Sequence, residues 1–95
     1  MSKALDKLLA NIEKADELAK VENPDCYIDV GFEGRLTDQV AFISLANKHT
    51  NKRPEPISVV TNHTEGKSDL DKVFERMNQD LSKWIEKMKE RLQDD

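Results

Sequence analysis

Residues 69–92 run for 24 positions without a glycine or a proline. Within that run Leu70, Phe74, Met77, Leu81, Trp84 and Met88 recur at alternating steps of four and three, with Val73, Ile85 and Leu92 beside them. That period belongs to an α-helix with a single apolar stripe. At 1.5 Å per residue the helix would be about 36 Å long. Ser68 stands where an N-cap is needed, Asp69 and Asp71 sit at the positive end, and Lys87, Lys89 and Arg91 sit near the negative end. A rod of this length needs a partner surface, and the remaining residues must supply it.

The remaining residues offer one more helix and three strands. In residues 3–20, Leu5, Leu8, Ile12, Ala15 and Ala19 repeat at helical spacing, and Pro24 closes that stretch. Residues 26–33 alternate: Cys26, Ile28, Val30 and Phe32 fall on one face, and Tyr27, Asp29, Gly31 and Glu33 on the other. This is the pattern of a half-buried strand. A turn at Gly34 leads into residues 39–46, apolar on both faces and so suited to the centre of a sheet. Residues 47–56 carry two prolines and two asparagines and read as a loop. Residues 57–63 form a β-branched third strand. The predicted class is α+β, in the order α-β-β-β-α. The sheet is an antiparallel three-stranded meander with both helices on one face, and residues 1–95 make a single domain.

Two surfaces are expected to look outward. A seven-residue strand spans about 23 Å, so a 36 Å helix would overhang the sheet by about two turns. Those turns carry Trp84, Ile85, Met88 and Leu92, and with Leu81 of the same stripe they are the expected interface residues. Either the first helix covers them or a second copy does, in a two-fold dimer joined through the stripe. The other surface is the sheet face away from the helices. If Ile28, Val30 and Phe32 point inward, then Tyr27 points outward, together with either Val40 and Phe42 or Ala41, Ile43 and Leu45. Val60 joins the outward set if Ile57 and Val59 point inward. The expected contact residues there are Tyr27, Phe42 and Val60, since an uncovered apolar patch usually marks a binding surface.

Several chemistries are disfavoured. The lone Cys26 rules out an internal disulfide, and one cysteine with two histidines, His49 and His63, gives no metal-ligand spacing. No cofactor or metal is expected. Asp29 and Glu33 share a strand face but stand about 13 Å apart, beyond the roughly 5–9.5 Å of a glycosidase pair. The glycines make no phosphate-binding loop. No apolar run approaches the length of a membrane span, and the cytoplasm is the expected location. A charged fraction of 36% against 37% hydrophobic implies a thin core, given about 25% charged in typical domains.

These readings point to a small non-enzymatic protein–protein interaction module, an accessory factor or inhibitor acting as a homodimer. Such factors include ones encoded by phages and other mobile elements. The alternative is a weak single-stranded nucleic-acid-binding protein. It would stack bases on Tyr27 and Phe42 and hold phosphates with Arg35, Lys48, Lys52 and Arg53. A net charge of −4 weighs against it.

Overall fold

A computed structural model describes residues 3–34, 38–49, 54–63 and 70–93. The chain folds as α1 (Lys3–Glu22), β1 (Cys26–Gly34), β2 (Asp38–Asn47), β3 (Glu55–His63) and α2 (Leu70–Gln93). This is the α+β arrangement read from the sequence. The strands form one antiparallel sheet in the order β1-β2-β3, with the apolar β2 at its centre. Both helices lie on one face of it, α1 over β1 and α2 over β2 and β3. The Ser68 cap and the turn at 64–67 lie outside the described residues.

The register fixes which side chains look inward. Ile28 stands opposite Leu45, Val30 opposite Ile43 and Phe32 opposite Ala41. Ala41 and Ile43 are buried beneath the helices with Leu8 and Ala15 of α1 and Val73, Met77, Leu81 and Ile85 of α2. At the end of this seam the rings of Phe32 and Phe74 meet edge to face, 6.3 Å apart at 87°.

The helices run in the same direction. Asn11 of α1 donates through Nδ2 to Asn78 Oδ1 at 2.6 Å and to Ser82 Oγ at 2.9 Å. Eleven residues further along α1, Arg91 of α2 reaches Glu22 at 2.6 Å. These contacts set the helices parallel and in fixed register. The middle of α2 is then held by Asn11 and its C-terminal end by Glu22.

Two expectations need correction. Pro56 belongs to β3 rather than to the preceding loop. An edge strand tolerates a proline because its outer backbone positions need no ladder donor. The second correction concerns the phase of β3. Ile43 pairs with Ser58 and Ser44 with Pro56, so Ile57 is an extra residue in a bulge. The extra residue reverses the alternation that follows. Val60 therefore packs against the core, and Val59, 61% exposed, faces away from the helices. Ser58 is buried and donates through its hydroxyl to Asp80 of α2 at 2.9 Å, which ties the bulge to the helix.

Candidate functional site

The helix stripe expected to form an interface is occupied within the chain. Leu81, Ile85 and Met88 are buried. The seam runs through Val73, Met77, Leu81, Ile85 and Met88, and its neighbours Phe74, Trp84 and Leu92 are half-buried. The overhang is absent for two reasons. The strands are nine to ten residues long, which is about 30 Å rather than 23 Å. In addition, α1 lies alongside α2 as far as Glu22. Leu81 and Ile85 are covered within the folded chain, while Met88, also buried, lines a cavity at the end of the seam.

The sheet face away from the helices has no second layer among the described residues. Tyr27, Asp29, Gly31 and Glu33 of β1 line it, with Val40, Phe42 and Ser44 of β2 and Val59 and Thr61 of β3. Gly31 stands directly opposite Phe42. A Cβ at position 31 would fall inside contact distance of the Phe42 ring tip, so the ring lies flat over the glycine. A large aromatic thus covers a backbone that has no side chain of its own, as in the aromatic rescue of sheet glycines. Val59 pairs with the other side of Phe42. The result is an apolar centre bordered along β1 by exposed Asp29 and Glu33.

The edge of β1 is closed by a side chain. Asp16 of α1 accepts a hydrogen bond from the Ile28 amide at 3.1 Å and pairs with Lys20 one turn later. The Lys20 hydrogen bond is the main reason the Asp16 carboxyl lies below the usual carboxylate range; partial desolvation opposes it and the Ile28 amide assists it.

No protein-family model, curated protein or solved structure matches this chain. The residues themselves must carry the functional reading.

A groove opens at the other side of the molecule. Between the C-terminal half of α2 and the start of β3, a cavity of about 410 Å³ is floored by Trp84, Met88 and Ile57. A second cavity of about 440 Å³ shares Glu55, Trp84, Met88 and Arg91 with it, and Cys26 and Leu45 contribute there. Lys83 and Lys87 line the first cavity on the α2 side and Glu55 on the β3 side. Among the described residues neither lysine has an ion-pair partner.

The catalytic candidates do not assemble. Cys26 Sγ has Asn47 Nδ2 at 3.8 Å as its polar neighbour, and His49 sits 3.3 Å from Asp25 in a surface turn. Among the described residues no three of the His, Cys, Asp and Glu side chains are placed to hold a metal ion. No helix there is long and apolar enough to cross a membrane. For the nucleic-acid alternative, Arg35, Lys52 and Arg53 lie outside the described residues. Tyr27 and Phe42 do share the open face. Tyr27 stands four strand steps, about 13 Å, from Gly31, the residue opposite Phe42, and Asp29 lies between them on β1.

Sequence reasoning missed Val59, Gly31 and the Lys83–Lys87 pair. The bulge that exposes Val59 has no local signature beyond Pro56. The lysine spacing, in contrast, was readable one turn apart.

Proposed function

We propose that this chain is a non-enzymatic protein–protein interaction module whose contact surface is the open sheet face. The observation behind this reading is the flat Phe42 ring over Gly31, continued by exposed Val59 and bordered by Asp29 and Glu33. An uncovered apolar patch with a charged rim is the usual form of a protein contact site. The rim selects the partner. Phosphates are repelled by Asp29 and Glu33, whereas a protein surface with an apolar centre flanked by Lys or Arg is complementary. A second copy offers no basic side chain on this face among the described residues, so a different protein fits better than a homodimer. The single thiol, free in this fold, supports a reducing compartment such as the cytoplasm.

Three strands about 4.8 Å apart and about 30 Å long give a footprint of about 400 Å². Side-chain relief brings this towards the roughly 800 Å² per partner of a standard interface, so a stable partner has to use most of the face, from Tyr27 to Glu33.

Affinity purification from the native cell with wild-type, Val59→Lys and Glu13→Lys proteins tests the reading. A partner should be retained by wild type and by Glu13→Lys, which lies on the exposed side of α1, and lost by Val59→Lys. If every retained protein also binds Val59→Lys, the sheet face is not the site. Sedimentation of the purified chain separates out the homodimer: dimers that Val59→Lys dissociates would make the partner a second copy.

A further inference from the structure

We infer that the groove along α2 takes an extended, acidic segment of a partner protein in which acidic and apolar residues alternate. This is a second surface, independent of the sheet face. Its basis is a match of pitch and charge. Lys83, Lys87 and Arg91 follow one another at four-residue steps, and Trp84 and Met88 form a parallel row one residue on. Side chains four apart on a helix stand about 5–6 Å apart. Alternate side chains of an extended chain stand about 6.6 Å apart. An extended segment laid along α2 can therefore set successive acids against Lys83 and Lys87.

The charge state of the groove supports this orientation. Lys83 and Lys87 have no ion-pair partner among the described residues, so their charges are available. Arg91, next in the row, is already paired with Glu22 at 2.6 Å, so the two lysines carry the available charge. Asp80, at the same groove, is already engaged by the Ser58 hydroxyl and by Arg76. Glu55 faces the groove from β3 and repels an acid on that side. The acids are thereby directed towards α2, and the apolar residues, on the opposite side of the extended segment, face Pro56 and Ile57 of β3. Strand addition to β3 is not required, since Pro56 and the bulge at Ile57 interrupt that edge.

Trp84 is the only tryptophan in the chain, so its emission reports directly on the groove floor. The probe is a synthetic ten-residue peptide alternating glutamate with leucine, compared with its lysine-for-glutamate counterpart. The glutamate peptide should shift Trp84 emission to the blue and saturate. Raising salt from about 50 to about 500 mM should weaken it. Lys83→Glu with Lys87→Glu should reduce affinity by about tenfold or more, while Val59→Lys should leave it unchanged. The double variant's far-ultraviolet dichroism and melting should match wild type, because both lysines are exposed. Equal binding of the two peptides, no saturation at about millimolar peptide, or undiminished binding by the double variant would each overturn the inference. So would an emission shift that depends only on the protein's own concentration, which would make the occupant a second copy.

Discussion

Asp16 does two jobs at once, and they can be separated by substitution. Its carboxylate pairs with Lys20 and also accepts the Ile28 amide at the edge of the sheet. Its pKa is lowered, so its contribution to stability is complete above the unfolded carboxyl's pKa of about 3.9. That contribution is lost as pH falls through the lower folded value. Asp16→Asn keeps an acceptor for Ile28 but removes the charge. Its chemical-denaturation stability should therefore fall less steeply than wild type's below about pH 4; identical acid limbs would rule out the pairing as the cause. Gly31 is the other residue whose role is positional. In Gly31→Ala the added methyl displaces the Phe42 ring into solvent. Alanine's better fit to a strand, worth roughly 0.5–1 kcal/mol, offsets the lost ring contact. Melting should change little, while the upfield ring-current shift expected of the Gly31 α-protons should vanish from the corresponding position in the variant's NMR spectrum. The period-two pattern of β1 made Gly31's face legible in the sequence, but not that an aromatic from β2 would lie over it, because the register is a long-range property.

Among the elements, the helices and β1 were readable to within two residues, since each carries its own period and its own terminator. The strand β3 was readable as a strand but not in phase. Phase there depends on the bulge at Ile57 and on Ser58, a polar residue placed where alternation from Ile57 would have put a solvent-facing one. Ser58 earns no place in the core by hydrophobicity; Asp80 holds it there. Ser58→Ala should cost about 1 kcal/mol, measured by urea unfolding. The two helices are registered by the Asn11 amide, which bonds both Asn78 and Ser82. Asn11→Ala removes both bonds from a half-buried site and should cost about 1–2 kcal/mol. If it costs nothing, the seam of Leu8, Ala15, Met77 and Leu81 alone sets the helix register.

For the molecule as a whole, the length of the C-terminal helix was legible, and of the two covers the sequence allowed for its stripe the structure shows the first helix in place. Expected strands of seven to eight residues left a surplus of helix; strands of nine to ten residues and a parallel α1 absorb it. The stripe is therefore a core, and a core behaves differently from an interface under dilution. Leu81 is fully buried, so Leu81→Ala should lose about 2–5 kcal/mol out of a total of about 5–15 kcal/mol for a domain. The melting temperatures of wild type and variant should not change with protein concentration; a concentration-dependent midpoint would show that folding is coupled to association. The common direction of α1 and α2 has one more result. The first residue of α1 and the last of α2 emerge from opposite ends of the body, so they cannot be joined by a short turn. With Asn11 beside Asn78 and Ser82, Lys3 lies about 30 Å along the axis from Gln93 at 1.5 Å per residue. A circularly permuted chain would need a bridge of about ten extended residues to close that gap. A tag on each end would then act as a ruler, with energy transfer between them reporting whether the rod stays whole.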